Sequence, residues 1–340
     1  MNTRFQNAIA RKAQATPPVW CMRQAGRYHA HYQALRAKHS FMDLCRIPEL
    51  ASEVAMGPMR DFDFDVAILF SDLLFPLDAL GLGLSYEQDG PKLKTKLNPV
   101  TIHNLVPLTE ALPALHFQKE AMIATRSLLP KDKSLIGFVG GAWTLFAYAV
   151  EGSHSGGLLE AKKYFTLFPK FCEQLIPFLE ANIVLQLSGG AEVVMLFDTA
   201  AGELSPALFQ QFVVPTIETL AAKFPGKLGY YSKGTSEAHL RHPFFASGLL
   251  AGMGVDHRLD LPSLFGLSKT GFLQGNFDQA LLHLDAKHFA EELKRYLEPF
   301  EKLSPQQRAS WVAGLGHGVL PKTPEANVQS YVKLIRETFR

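Results

Sequence analysis

Eight short apolar runs recur along the chain, and their spacing is the strongest constraint on its fold. They cover residues 18–22, 65–70, 134–140, 191–197, 226–231, 249–255, 271–274 and 311–315. The runs are almost continuously apolar, which is typical of parallel strands that are covered by helices on one side and packed against a core on the other. The pattern therefore predicts eight buried parallel β-strands.

Helical patterns lie between these runs, at residues 48–62, 158–186, 206–224, 280–297 and 324–339. Strands that alternate with helices pair in parallel through right-handed crossovers, so eight such units predict an α/β fold of the (β/α)8 TIM-barrel type. A doubly wound open sheet is the alternative. The connection at 71–133 is too long for one crossover helix, so we expect an insertion after the second strand. No repeat or linker divides the chain, which predicts a single domain over residues 1–340.

Neither a membrane span nor a secretory signal is expected. The longest apolar stretch, residues 66–84, is interrupted by Ser71, Asp72, Pro76 and Asp78, and charges inside a bilayer are costly. The N-terminus lacks the continuous apolar run of a signal peptide. The three cysteines are odd in number and widely spaced, which suits a reducing compartment. We therefore expect a cytoplasmic protein.

Positive charge is concentrated near the N-terminus. The net charge is only +2, which gives no reason to expect a nucleic-acid partner. Before Asp43, however, there is no acidic residue, and the basic ones are Arg4, Arg11, Lys12, Arg23, Arg27, Arg36 and Lys38. Such an excess attracts anions, although a solvated basic surface or an organellar transit peptide has the same composition.

The residues that directly follow the apolar runs are the candidate site. In a parallel barrel every strand ends at the same face, so these residues converge in space. They are Arg23, Arg27, Ser71, Asp72, residues 140–144, Asp198, Thr199, Lys233, Asp256, Asn276 and His317. Turns are rich in Gly, Asp and Asn for conformational reasons alone, but polar residues after every strand favour a shared site.

Two features of this set indicate chemistry. Arg23 and Arg27 lie in one short loop, and guanidinium groups bind carboxylates through two parallel hydrogen bonds, which predicts a ligand with several carboxylates. Caps on helix ends are the alternative. Asp72 emerges from an apolar strand end, where an anion requires donors or cations as partners. A simple ion pair with one of the arginines is the alternative for Asp72.

The spacings typical of zinc sites and redox thiols are missing. The glycines at 314, 316 and 318 are too closely spaced for a dinucleotide-binding loop, since no suitable helix with an acidic partner follows. Lys233 follows a strand and could form a Schiff base, so an aldolase-type enzyme stays open.

Five segments resemble motifs of the uroporphyrinogen decarboxylase family, in the family's order. The most specific is PVWCMRQAGRY at residues 18–28. The others are ILFSDL at 68–73, WTLFAYAVEG at 143–152, LQGN at 273–276 and LGHG at 315–318. The resemblance extends from about residue 17 to about residue 335.

The resemblance implies a single (β/α)8 barrel, usually a homodimer, that acts without metal or cofactor. Its substrate is a tetrapyrrole: uroporphyrinogen is converted to coproporphyrinogen by four successive acetate decarboxylations in haem biosynthesis. By motif, Asp72 accepts hydrogen bonds from the pyrrole N–H groups, and Arg23 is the leading candidate for the proton donor. The carboxylates of the substrate meet Arg23, Arg27 and Arg36, and the pocket is completed by Tyr148, Thr199 and His317.

Four positions depart from the family pattern: Ala142, Thr199, His257 and Gly314. Thr199 keeps the hydroxyl of the usual serine, whereas Ala142 and Gly314 are expected to loosen loop backbones. Two rival functions share the barrel. A related zinc-dependent methyltransferase requires a thiolate-bearing metal motif, and a non-enzymatic anion-binding barrel requires only the arginines.

Overall fold

The computed structural model describes residues 1–87, 90–153, 156–266 and 269–340. Its strands are β1 (Val66–Ile68), β2 (Leu84–Glu87), β3 (Gly90–Leu93), β4 (Ser134–Gly140), β5 (Val193–Asp198), β6 (Leu228–Ser232), β7 (Gly252–Gly254), β8 (Phe272–Phe277) and β9 (Trp311–Leu315). The helices are α1 (Thr3–Ile9), α2 (Ala30–Arg36), α3 (Phe41–Arg46), α4 (Pro48–Phe62), α5 (Phe75–Leu77), α6 (Leu108–Ala111), α7 (His116–Leu128), α8 (Ala142–Glu151), α9 (Leu159–Lys163), α10 (Phe168–Ser188), α11 (Pro206–Leu208), α12 (Val214–Lys223), α13 (Glu237–Leu240), α14 (Ala286–Glu301) and α15 (Glu325–Thr338).

Seven strands form one parallel sheet in the order β1-β4-β5-β6-β7-β8-β9. Every pair is parallel, for example β1 with β4 and β8 with β9. All residues of β4, β5, β6 and β9 are buried, as expected for strands packed on both sides. The predicted α/β architecture is confirmed, and seven of the eight apolar runs form its strands.

The first apolar run, residues 18–22, forms only a single parallel bridge, between Val19 and Ala313 of β9. The Val19 carbonyl also accepts a hydrogen bond from the backbone N–H of Asp65, at 2.9 Å, just before β1. A longer strand does not form because Pro18 has no N–H to donate. The N–H of Val19 is bonded instead to the Asp65 carboxylate, at 2.8 Å.

The long connection between β1 and β4 contains extra structure, as predicted. Strands β2 and β3 form an antiparallel hairpin there, separate from the parallel sheet. Helices α5, α6 and α7 complete the connection. The hairpin is consequently an addition to the repeating strand–helix pattern.

The helices match the predicted segments with three exceptions. The segment at 280–297 begins with a 3-10 turn, and its helix, α14, starts only at Ala286. The segment at 48–62 forms α4 with the predicted bounds. The segment at 158–186 is divided into α9, a 3-10 turn and α10, which has Pro169 in its first turn. The segment at 206–224 is interrupted by a π turn that ends just before Pro215 in the first turn of α12. Both prolines lack the N–H that a continuous helix requires.

One large hydrophobic cluster contains buried side chains from both ends of the chain, such as Phe5, Trp20, Trp311 and Phe339. A second, smaller cluster is formed by Tyr32, Leu44 and Val54. Across the four described stretches, no helix is both long enough and apolar enough to cross a membrane.

Candidate active site

The carboxyl ends of the parallel strands meet at one edge of the sheet, and four candidate residues lie just beyond them. Asp72 follows β1, Thr199 follows β5 and His317 follows β9. Arg23 follows the bridge residue Val19, which lies beside β9. Since parallel strands present their carboxyl ends together, this edge is the natural position of a site.

Asp72 is a half-buried member of this group. Its Oδ1 atom accepts a hydrogen bond from the backbone N–H of Leu74 at 2.8 Å. Burial raises the pKa of Asp72, while the Leu74 N–H, the nearby Tyr86 hydroxyl and the positive charge of Arg23 oppose that rise. Asp72 makes no ion pair among the described residues. The alternative of a simple salt bridge with an arginine is therefore not supported.

Arg23 is held close to Asp72 by an unusual backbone. Its φ angle is 58°, in the left-handed region that non-glycine residues seldom adopt. The side chain passes directly over Gly318, where an added Cβ atom would lie 2.4 Å from the Arg23 Cδ atom. Gly318 is therefore required for this position of Arg23. Burial raises the pKa of Asp72, Tyr148 and Tyr231, and the positive charge of Arg23 opposes the rise in each case.

Tyr148 lies on α8 and faces the same two charged groups. Burial is the main cause that raises the pKa of Tyr148 to about 12, the Asp72 carboxylate adds to the rise, and Arg23 opposes it. At neutral pH the phenol therefore keeps its proton. Arg23, Asp72 and Tyr148 form the group that we call the charged cluster.

His317 packs against Tyr231, a residue that the sequence analysis did not select. The two rings are stacked with their centroids 6.0 Å apart. The Tyr231 hydroxyl lies 3.0 Å from Nδ1 of His317 and 2.8 Å from the carbonyl oxygen of Gly316. Burial raises the pKa of Tyr231, and the positive charge of Arg23 opposes that rise, so the partner of His317 lies within the electrostatic reach of the charged cluster.

Arg27 and Arg36 lie farther along the same N-terminal segment, and both side chains are exposed. Burial raises the pKa of Tyr32, and the positive charges of Arg36 and Arg27 oppose that rise. Nη1 of Arg36 donates to the carbonyl of His39 at 2.5 Å. Within the described residues neither guanidinium pairs with a carboxylate. Both therefore remain available to an anionic ligand.

Thr199 is half-buried after β5, and in the described part of the chain no hydrogen bond joins its side chain to the charged cluster.

Several other polar residues at the strand ends fix loops. Asp198 accepts hydrogen bonds from the Thr144 backbone N–H at 3.0 Å and from the Thr144 hydroxyl at 2.5 Å. Burial raises the pKa of Asp198 to about 6, against the lowering effect of these hydrogen bonds. Asp256 pairs with Arg258 at 2.6 Å, and Asn276 donates to the backbone carbonyl of Asp256 at 2.9 Å. These side chains stabilise the ends of the strands.

The positions that depart from the family pattern do not loosen loops, so that expectation is wrong. Ala142 is the buried first residue of α8. Gly314 lies inside β9, where an added Cβ atom would be 2.7 Å from the carbonyl oxygen of Trp20. Close packing across β9 therefore requires a glycine there. His257 packs against Gly316, and its Nε2 lies 3.8 Å from the Asp278 carboxylate.

Two of the rival functions depend on particular residues: the aldolase requires Lys233, and the zinc-dependent methyltransferase requires a group of metal ligands. Lys233 is half-buried after β6, and its carbonyl accepts a hydrogen bond from the N–H of Gly202 at 3.1 Å. Among residues 1–87, 90–153, 156–266 and 269–340, no three His, Cys, Asp or Glu side chains form a group that could hold a metal ion.

If Arg27 and Arg36 bind substrate carboxylates, replacing either by alanine is expected to raise KM. We expect about a tenfold increase for each, because charge-assisted hydrogen bonds are worth roughly 1.5–3 kcal/mol and exposure to solvent weakens them. Arg27→Lys is also expected to weaken binding, since a point charge does not reproduce the planar fork. The loss should be smaller than for alanine, because lysine keeps the positive charge. Steady-state kinetics measure both effects. Unchanged KM values for both alanine variants would refute this assignment.

Known proteins resemble the chain over its whole length. The family model described as uroporphyrinogen decarboxylase (URO-D) matches residues 1–338. A uroporphyrinogen decarboxylase from Pseudoalteromonas atlantica is 33% identical, with 99% of this chain and 96% of that protein covered. Another, from Synechococcus sp. (strain JA-2-3B'a(2-13)), is 34% identical, with coverage of 99% and 98%.

Solved structures share the fold at low sequence identity. A methyltransferase from Methanosarcina mazei superposes with a TM-score of 0.77 at 18% identity, covering 100% of this chain and 99% of that chain. A putative vitamin-B12 independent methionine synthase from Listeria monocytogenes gives a TM-score of 0.54 at 10% identity, covering 94% and 97%. These likenesses concern the fold alone. The family match and the relatives, at about one-third identity over nearly the whole chain, confirm the sequence-based prediction: the chain belongs to the uroporphyrinogen decarboxylase family.

Proposed function

We propose that this protein converts uroporphyrinogen to coproporphyrinogen by removing the carboxyl group from each of four acetate side chains. It would act as a carboxy-lyase of haem biosynthesis, as its family membership indicates. The observation that carries the proposal is the charged cluster, in which a half-buried carboxylate faces a guanidinium and a protonated phenol. Such a cluster offers an anion to the pyrrole ring and a cation to a substrate carboxylate.

The proposed chemistry depends on charge that develops in the pyrrole. Loss of CO2 leaves an electron pair on the methylene carbon, so the ring must first become an electron sink, most simply through protonation at the adjacent ring carbon. The electron pair of the breaking C–CO2 bond enters the protonated ring, the methylene carbon then gains a proton to become a methyl group, and the ring carbon gives up the proton that it had taken. Until the C–CO2 bond breaks, the pyrrole is cationic. A carboxylate that accepts hydrogen bonds from the ring N–H groups stabilises this cation more than the neutral ground state, which is the requirement for catalysis. We assign this role to Asp72.

The proton donor is assigned to Arg23, on the basis of the resemblance and its position beside Asp72 and Tyr148. A guanidinium is a very weak acid near neutral pH, so proton donation by Arg23 depends on stabilisation of the transition state. The charges of Arg23 and Asp72 both act on Tyr148, which keeps its proton at neutral pH. It could relay a proton between solvent and the ring. His317, connected through Tyr231, is the third candidate for a relay.

Substrate binding is proposed for the rest of the predicted set. Arg27 and Arg36, exposed on the N-terminal segment, would meet substrate carboxylates, while Thr199 and His317 would line the pocket beyond β5 and β9.

We also propose that the seven-stranded sheet closes into a single (β/α)8 barrel, with residues 18–22 in the position of the first strand. The contacts of Val19 with Ala313 on one side and Asp65 on the other support this closure. The hairpin of β2 and β3 would then be the insertion after the second strand. A single domain, a homodimer and a cytoplasmic location, as the sequence and its resemblance imply, complete the proposal.

The function is tested by measuring CO2 release from uroporphyrinogen under anaerobic conditions. Purified protein is expected to release four molecules of CO2 for each macrocycle consumed. Substrate loss without CO2 release would contradict a decarboxylase.

Activity is expected to survive removal of metal ions. The residues of the charged cluster supply the charges that the reaction requires, and no metal-ligand group occurs among the described residues. Protein treated with a chelator and dialysed should therefore keep full activity, measured as CO2 release against an untreated control. Loss of activity that zinc restores would favour the methyltransferase-like rival instead.

A further inference from the structure

Tyr86, on strand β2 of the inserted hairpin, brings a phenol to the Asp72 carboxylate. Its ring packs on Phe41 with a centroid distance of 4.4 Å, and Phe41 contacts Phe70 at 5.9 Å. Phe70 lies just before Ser71 and Asp72 in the chain. These three aromatic rings therefore hold the hairpin beside the segment that carries Asp72.

The Tyr86 hydroxyl is buried and, within the part of the chain that the structure describes, meets the full geometry of a hydrogen bond with no atom, although it lies near enough to Asp72 to act on that carboxylate as a hydrogen-bond donor. A buried polar atom without a partner is costly, so its presence requires an explanation. The hydroxyl faces Asp72 closely enough for each group to shift the pKa of the other. Burial raises the pKa of Asp72, and the Tyr86 hydroxyl opposes that rise. The pKa of Tyr86 is raised mainly by its burial and further by the negative charge of Asp72.

We propose that Tyr86 is a positioning residue for Asp72: its hydroxyl donates to the carboxylate during turnover, holding it ionised and oriented toward the pyrrole N–H groups. This inference rests on the proposed role of Asp72. In free enzymes the hydrogen bonds used in catalysis are often poorly aligned, and they tighten when substrate binds. The Leu74 N–H on Oδ1 fixes one side of the carboxylate, and the phenol would fix it from the hairpin.

The other groups around Asp72 do not replace this donor. Arg23 acts through its charge, and Tyr148 faces both Arg23 and the carboxylate. Cys45 of α3 also faces Asp72, but burial raises the pKa of this thiol well above its ordinary value, so it stays neutral. A thiol is only a weak hydrogen-bond donor. Removing the Tyr86 hydroxyl therefore removes a strong donor and leaves the charges unchanged.

Tyr86→Phe tests this inference, because phenylalanine keeps the ring contact with Phe41 and removes only the hydroxyl. We expect kcat to fall about tenfold, as for loss of a hydrogen bond to a charged group, with little change in KM. The acidic limb of the kcat/KM profile should also move to higher pH, because Asp72 loses a group that lowers its pKa. A purely structural role of Tyr86 predicts no such movement.

Ser85→Ala is the matched control. Ser85 is the neighbour of Tyr86 on β2, and successive side chains of a strand point to opposite faces. This variant also loses one hydroxyl, and it should keep the wild-type kcat and pH profile. A Tyr86→Phe enzyme with wild-type kcat and an unmoved acidic limb overturns the inference, as does an equal loss in both variants.

Failure of the proposed function gives a different result. If the wild-type protein releases no CO2 from uroporphyrinogen, or if Asp72→Asn retains the wild-type rate, the underlying assignment fails. If both behave as expected while Tyr86→Phe matches the wild type, only the role of Tyr86 is refuted.

Discussion

Replacing Asp72 by asparagine is expected to lower kcat by at least about 100-fold, as when a preorganised electrostatic group is deleted from an active site. Asparagine keeps the shape and one hydrogen-bond acceptor for the Leu74 N–H. It removes the negative charge that stabilises the pyrrole cation. The fold should persist, because Asp72 makes no ion pair among the described residues and the neutral amide costs less to bury than a carboxylate.

Steady-state kinetics on the purified variant measure this effect, with circular dichroism to verify the fold. Asp78→Asn is a matched control in the same connection, because Asp78 pairs with Arg46 at 2.6 Å and asparagine keeps the Oδ1 acceptor for the backbone N–H of Leu84, at 2.7 Å. This control should retain wild-type turnover. If Asp72→Asn decarboxylates at nearly the wild-type rate while binding weakens, Asp72 is only a docking residue and the proposed mechanism is wrong.

Lysine in place of Arg23 is expected to lower kcat by about 10- to 100-fold while changing KM much less. The substitution keeps the positive charge that opposes the rise in the pKa of Asp72. It removes the planar, forked set of donors near the reacting acetate. The left-handed backbone at this position is equally strained for both residues, so loss of the fold is not expected to cause the effect.

Arg36→Lys is the comparison for this prediction. Arg36 is exposed and proposed only to bind carboxylates, so its variant should change KM more than kcat. Single-turnover measurements separate the chemical step from product release. If Arg23→Lys raises KM without lowering the single-turnover rate, Arg23 is a binding residue and Tyr148 or His317 becomes the leading proton donor.

The repeating architecture was predictable because buried parallel strands leave a local signal. Runs such as 134–140 and 191–197 are continuously apolar, and they form β4 and β5. The run at 18–22 is also apolar but forms only the bridge at Val19, because the proline at its start and the backbone turn at Arg23 prevent a longer ladder. Helix interruptions at Pro169 and Pro215 have the same local origin, although the sequence analysis did not use them.

The candidate site was predictable where it depends on the ends of strands. Asp72 and Arg23 were selected in this way, and the structure brings both together with Tyr148, which the resemblance supplied. The strand-end rule does not tell which polar side chains face the site, and Asp198 instead binds Thr144.

Tyr86 and Tyr231 were missed for a different reason. Tyr86 reaches Asp72 from the inserted hairpin, and Tyr231 reaches His317 from β6. In both cases the two residues lie in different elements of the chain. Adjacent Tyr230 and Tyr231 at a strand end offered one usable signal, since one of two neighbours must face inward. For Tyr86 no comparable local signal exists, because its role depends on how the hairpin packs.

The most direct test of the account is chromatography of the products formed from uroporphyrinogen under anaerobic conditions by the wild-type protein. We predict coproporphyrinogen as the final product, preceded by intermediates that have lost one, two or three acetate carboxyl groups. Unchanged uroporphyrinogen, or a product that has gained a methyl group without losing carboxyl groups, would contradict the proposed decarboxylase.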